Sequence, residues 1–138
     1  MHLEHINLVV NNIEETLTFY QAAFPNWAVR GEGEQEWFGK TRRWLHFGNN
    51  EQYLVFCSEG EGTARDLTGH QIGLAHFAYV VTNLAEMQAR LLVAGFKHAK
   101  DGAEDPYRSN IYYIDPNGIE VEFVEYHSDL NERRNAYA

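Results

Sequence analysis

A chain of 138 residues with 44% hydrophobic content has the size of one domain and enough apolar side chains for a proper core. Lys and Arg total 11 against 20 for Asp and Glu, so the net charge of -9 repels phosphate backbones and anionic headgroups and excludes nucleic acid and membrane surfaces as partners. No stretch approaches the roughly 18 apolar residues of a membrane span, and MHLEHINLVV has neither the basic nor the long apolar region of a secretory leader, so a cytoplasmic protein is expected.

The first predicted element is an apolar strand that begins at His5. Asn12 then caps a helix, with Glu15 three residues on, where its carboxylate can reach back to the cap. Ile13, Leu17, Tyr20 and Phe24 fall on one apolar stripe of that helix. Extended runs follow at Trp27 to Arg30, Arg43 to Phe47 and Gln52 to Cys57, the last holding the only cysteine as a plain core thiol. GEGEQEW, from Gly31 to Trp37, is Gly-rich and charged and reads as a loop, with Glu32, Glu34 and Glu36 solvated. Glu59 to Gln71 reads as a second loop, linking this half of the chain to the other.

From His76 the pattern starts again. At a constant offset of 71 residues His5 falls on His76, Val9 and Val10 on Val80 and Val81, Asn12 on Asn83, Glu15 on Glu86 and Ala23 on Ala94. A second capped helix carries Leu84, Met87, Leu91 and Leu92 and ends at Gly95. Phe96 to Ala99, Ile111 to Ile114 and Glu120 to Tyr126 read as its three strands. The chain is therefore expected to be a single α+β domain of two βαβββ modules, about 1–58 and 72–126, with a short polar C-terminal tail.

The repeat makes His5 and His76 equivalent, at strand positions otherwise flanked by apolar residues, where an imidazole needs a partner. His2, His70, His98 and His127 lie near the terminus or in polar segments and read as solvated. A divalent ion held by two imidazoles calls for a carboxylate as third ligand if positions are to stay open for substrate. Asp115-Pro116-Asn117-Gly118 is a turn, and the strand after it puts Glu120, Glu122 and Val124 on one face and Val121 and Phe123 on the other. Spacing alone does not choose between Glu120 and Glu122.

HINLVV with Phe19 and Tyr20, HFAYVV, and DPNGxxxE together resemble the glyoxalase/bleomycin resistance/dioxygenase family, the vicinal oxygen chelate superfamily, over nearly the whole chain. The resemblance implies that the third ligand is the glutamate four residues after the glycine, Glu122. The expected architecture is a half-open mixed β-barrel with the helices outside. Metal-dependent glyoxalase I enzymes of the family add a fourth ligand, which the repeat places near Leu54 or Val55, and neither side chain ligates a metal. Recruiting Glu51 or Gln52 instead would disturb the alternation of that strand. Two imidazoles and one carboxylate remain, the donor set of a facial triad. Similar sites occur in the family's extradiol dioxygenases, which are commonly longer, and in its fosfomycin-modifying transferases, whose potassium-binding loop does not appear here.

In RRWLHFG, Leu45 and Phe47 suit the helix-covered face, which leaves Arg42 and Trp44 as candidate substrate contacts and His46 as candidate proton-transfer group. Arg108 is a further candidate for an anionic substrate group. The expectation is an enzyme using Fe, Mn, Ni, Co or Zn on a small molecule that chelates the metal through neighbouring oxygens. A glyoxalase I-type lyase and a non-catalytic antibiotic-binding protein are the alternatives. Exposed sheet edges and the module pairing common in the family imply a homodimer.

Overall fold

The same device opens both helices. Asn12 Oδ1 accepts the backbone N–H of Glu15 at 2.9 Å, and Asn83 Oδ1 accepts that of Glu86 at 3.0 Å. Each side chain satisfies one of the orphan donors of a helix N-terminus, so Asn12→Ala or Asn83→Ala is expected to cost about 1 kcal/mol in urea unfolding. A change below the resolution of the measurement at both sites would remove that assignment.

The computed structural model describes residues 1–137, which fall into two units, the first ending at Thr63 and the second beginning at Ala64. In the first, β1 (His5–Val9), α1 (Ile13–Ala23), β2 (Ala28–Trp37), β3 (Lys40–Gly48) and β4 (Tyr53–Cys57) give a sheet of order β1-β4-β3-β2. The second has β5 (Phe77–Val80), α2 (Leu84–Val93), β6 (Lys100–Asp101), β7 (Arg108–Ile114) and β8 (Glu120–Tyr126), in the order β5-β8-β7-β6. Each sheet is mixed, because β1 and β5 run parallel to their neighbours and all other pairs are antiparallel. The expected α+β class and its two βαβββ modules are what the chain forms. A short helix α3 (Asn131–Arg134) lies in the C-terminal tail. No helix of the described residues is long and apolar enough to cross a membrane.

Each helix covers one face of its own sheet. In the first module Tyr20 on α1 stacks against Phe56 on β4 at 5.5 Å, over a core that includes Leu45, Phe47 and Leu54. In the second, α2 packs on β8 and buries Leu84, Met87 and Leu91, while Val121 and Phe123 of β8 are fully buried. The expected stripes need correction at their margins. Thr16, Phe19 and Ala23 join Ile13 and Tyr20 in the core, Leu17 and Phe24 are half-buried, and Leu92 is exposed. Thr16 is tolerated there because its hydroxyl donates to the carbonyl of Asn12 at 2.8 Å. Gly95, at φ 96°, ends α2 as expected. The N–H groups of Gly95 and Phe96 return to the carbonyls of Leu92 and Leu91, as in a Schellman motif.

Two strand expectations are overturned. GEGEQEW is not a loop but the outer half of β2, paired with β3 through Trp37 and Lys40. Phe38 and Gly39, at φ 47° and 83°, form the two-residue turn whose twist suits a hairpin. The alternation of Gly with Glu is strand-periodic: Glu32, Glu34 and Glu36 share the helix side, where Arg43 lies 3.7 Å from Glu32 and 2.7 Å from Glu14. Phe96 to Ala99 is irregular, and β6 is only Lys100 and Asp101. The linker from Glu59 to Gln71 has no helix or strand, and Arg65 draws it together by donating to the carbonyls of Asp66, Gly69 and Gln71.

The β2–β3 ladder is interrupted once. Val29 pairs with Phe47 and Gly31 with His46, so Arg30 is an extra, unpaired residue in β2. Such a bulge turns a side chain to the other face.

Candidate functional site

In the second module, the face opposite α2 is built by β8 and its neighbours. Glu122 pairs with Ala78 on β5 and Tyr112 on β7, while Glu120 lies two residues earlier on the same face. His76 immediately precedes β5. Its Nε2 lies 3.1 Å from Glu122 Oε2 and its Nδ1 3.4 Å from Glu120 Oε1. The Glu120 and Glu122 side chains are only 11% and 14% exposed, so neither carboxylate is well hydrated. Asn110 Nδ2 donates to Glu122 Oε1 at 2.8 Å, which leaves Oε2 directed at the imidazole. Lys100 Nζ stands 3.7 Å from Glu120 Oε2 and 4.6 Å above the Tyr112 ring. Burial, then the charges of Glu122 and Glu120, push the Tyr112 phenol up, keeping it protonated as a donor.

A neutral imidazole has one hydrogen. If that hydrogen faces Glu122 the contact is an ordinary hydrogen bond; if it faces Glu120, the lone pair on Nε2 faces a carboxylate oxygen, an arrangement relieved by a bound cation, a proton on both nitrogens or a proton on Glu122. The observed 3.1 Å separation is that of a hydrogen bond or ion pair, and it places an imidazole nitrogen and a carboxylate oxygen, two kinds of metal-ligating atom, side by side.

In the first module, His5 Nδ1 lies 2.9 Å from Glu4 Oε1. The carboxylate only accepts, so the hydrogen sits on Nδ1 and Nε2 is the free donor atom. His5 stacks on Tyr53 at 4.8 Å, Tyr53 stacks on His46 at 4.7 Å, and the Tyr53 hydroxyl donates to Glu4 at 3.2 Å. These bonds from His5 and then Tyr53 hold the Glu4 carboxyl below its usual value. Desolvation, then the charges of Arg30 and His5, hold the His46 imidazole below its usual value, with Glu4 opposing. His46 is thus a neutral proton acceptor near neutrality.

The parity expected for β3 holds. Leu45 and Phe47 are buried under α1, and Arg42, Trp44 and His46 share the opposite face. Arg42 Nε donates to the Ser58 carbonyl at 2.6 Å and its guanidinium lies 5.1 Å over Trp37, while Nη2 is buried with no hydrogen-bond partner among the described residues. The register also identifies the counterpart of Glu122: Ala78 pairs with Glu122 as Asn7 pairs with Val55, so Val55 occupies that position.

His76 and Glu122 are brought together, and His5 stands in the first module. Among the described residues no group of three His, Cys, Asp or Glu side chains is arranged to hold a metal ion. Arg108 is engaged elsewhere: it pairs with Asp105 at 3.2 Å, donates to the carbonyls of Arg134 and Ala136, and lies 5.1 Å over Tyr137. Sequence reasoning missed Asn110, Tyr112, Glu4 and Arg30. Asn110 and Tyr112 share the parity of Glu122's partner strand and were within its reach.

The model of the Glyoxalase/Bleomycin resistance protein/Dioxygenase superfamily matches residues 2–123. No curated protein matches the sequence. Among solved structures, a glyoxalase family protein from Enterococcus faecalis is 22% identical, covers 90% of this chain and 97% of its own, and superposes with a TM-score of 0.72. A glyoxalase family protein from Bacillus cereus is 12% identical over 93% of this chain and 95% of its own, with a TM-score of 0.74. A mutant of the fosfomycin resistance protein FosX from Listeria monocytogenes, complexed with Mn(II) and 1S,2S-dihydroxypropylphosphonic acid, is 18% identical over 97% of this chain and 98% of its own, with a TM-score of 0.70. At these identities the three structures speak for the fold.

Proposed function

The chain belongs to the glyoxalase/bleomycin resistance protein/dioxygenase superfamily, and from that premise we propose that it is an enzyme binding a divalent metal through His5, His76 and Glu122. Its substrate would be a small molecule offering two neighbouring oxygens. The observation that carries the reading is His76 Nε2 at 3.1 Å from Glu122 Oε2, with Glu120 beside the other nitrogen. When bound, the ion, one of Fe, Mn, Ni, Co or Zn, supplies Lewis acidity toward a developing oxyanion or, if iron, a route to dioxygen.

The chain's own residues would then divide the remaining tasks. Glu120 and Glu4 hold Nδ1 of His76 and His5, so that each imidazole presents Nε2. Asn110 fixes the Glu122 carboxylate, and His46 takes a proton from substrate. Arg42 and Trp44 would contact the substrate, whereas Arg108 would meet an anionic group only by leaving Asp105. The FosX structure contains Mn(II) together with a diol phosphonate, a molecule with neighbouring oxygens of the kind proposed here.

Elemental analysis of protein prepared without a chelating tag, loaded with each of the five metals and desalted, tests this directly. Retention of about one ion per chain is expected, and retention of none sinks the reading. Val55 stands where a glyoxalase I-type fourth ligand would, so metal-loaded protein is expected to turn over the methylglyoxal–glutathione hemithioacetal poorly. Robust turnover, lost in Glu122→Ala, would restore the lyase reading, and oxygen uptake with a catechol would select the dioxygenase one.

We further propose a homodimer. β1 and β2 are the edges of the first sheet and β5 and β6 those of the second, and open edges favour pairing with another copy. A sedimentation mass that stays near the 16.0 kDa of one chain over a wide concentration range would contradict it.

A further inference from the structure

In a chain of net charge -9, the open face of the first module carries two arginines, Arg30 and Arg42, with Glu4 beside the first. The bulge in β2 turns Arg30 onto this face, where its guanidinium lies 4.2 Å over the Tyr53 ring. Stacking occupies the flat face of a guanidinium and leaves its in-plane N–H fork free. Among the described residues nothing is hydrogen-bonded to that fork and no carboxylate lies in salt-bridge contact with it; Glu4, which bonds His5 and the Tyr53 hydroxyl, feels the charge of Arg30 without touching it. An exposed charged fork beside a half-buried aromatic stack offers a carboxylate two parallel hydrogen bonds.

The surroundings define the shape of that ligand. Trp44 lies against β2 so closely that a Cβ at Gly33 would meet its ring at 2.8 Å, which is why this position is glycine. The indole neighbours His46 at 5.0 Å, and His46 neighbours Tyr53 at 4.7 Å. His46 stacks face to face on Tyr53 and the indole is tilted 52° to His46, so Arg30, Tyr53, His46 and Trp44 form a stepped shelf with a bidentate donor at one end.

We propose that this shelf binds a small aromatic carboxylate, the carboxylate received by the Arg30 fork and the ring laid against His46 and Trp44. The proposal names a substrate class for the face on which the metal reading places His46, and it rests on that reading only for the ligand being a substrate. Binding itself needs the first module alone and no metal.

The test uses the full chain stripped of metal by a chelator and titrated with benzoate and salicylate, followed by tryptophan fluorescence and amide chemical shifts. Saturable binding that perturbs Trp44, His46 and Tyr53 is expected, with Arg30→Gln weakening it roughly 10- to 100-fold, the loss expected for a charge-assisted pair. Arg30→Lys, which keeps the charge but not the fork, is expected to recover only part of this. Cyclohexanecarboxylate, an anion without a flat ring, is expected to bind at least roughly tenfold more weakly. Arg30 is exposed, so both variants should keep the wild-type circular dichroism and melting curve. Binding unchanged in Arg30→Gln, equal binding of inorganic phosphate or cyclohexanecarboxylate, or no saturable response would each overturn the proposal. Benzoate binding only to Mn(II)-loaded protein would overturn it too, while leaving the metal reading intact.

Discussion

Glu122→Ala is expected to lower affinity for Mn(II) or Zn(II) by more than roughly 100-fold in competition with a chromogenic chelator. Loss of an outer-shell partner of a metal ligand costs about 10- to 100-fold, and loss of the ligand should cost more. Glu120→Gln supplies the internal comparison. It removes the charge beside His76 Nδ1 without removing a proposed ligand, so a loss of about 10- to 100-fold is expected there. Folding should survive both changes. Glu120 and Glu122 are two poorly hydrated carboxylates on one face, and neutralising either relieves repulsion in metal-free protein. Metal affinity in Glu122→Ala within threefold of wild type would mean that the short His76–Glu122 contact is only an ion pair.

The largest loss of stability is expected from Phe56→Ala. Phe56 is fully buried, stacks with Tyr20 of α1 at 5.5 Å and lies 6.5 Å from Phe47 on β3. Truncation removes the side chain that ties the helix to its sheet and leaves a cavity that neighbouring rings cannot fill without leaving their rotamers. A cost of about 3–5 kcal/mol in urea unfolding is expected, against about 1 kcal/mol for the helix caps. A loss under about 1 kcal/mol would show that the first module repacks freely.

What was legible in the sequence was whatever local chemistry repeats. Asn12 and Asn83 announce their helices because a cap is satisfied within three residues, and the spacing from His5 to His76 exposes the duplication. The face of β3 was legible because Leu45 and Phe47 alternate strictly with Trp44 and His46. The outer half of β2 was not, since Gly31 and Gly33 look like loop residues until Trp44 is seen lying on them. Nor was Arg30, which counting back from Gly31 places on the helix side with Glu32 and only the register shift places over Tyr53. Of the candidate site, parity put Glu120 and Glu122 on one face, and His76 stands beside both, 3.4 Å and 3.1 Å away. The two glutamates on one face were visible but their division of labour was not, because it depends on which imidazole nitrogen each one faces.

The bulge also bears on how such a protein changes over generations. Val29 and Gly31 already face consecutive residues of β3, so losing the single codon for Arg30 would leave an unbroken ladder with every neighbour in its present place. An in-frame deletion of three nucleotides would therefore remove the guanidinium from the shelf while leaving the strand pairing intact. Loss of this charge by deletion in β2 is thus expected to be tolerated by the fold, as its loss by substitution is. A chain lacking Arg30 that fails to fold would show that the extra residue is needed for the twist of the hairpin rather than for what it carries.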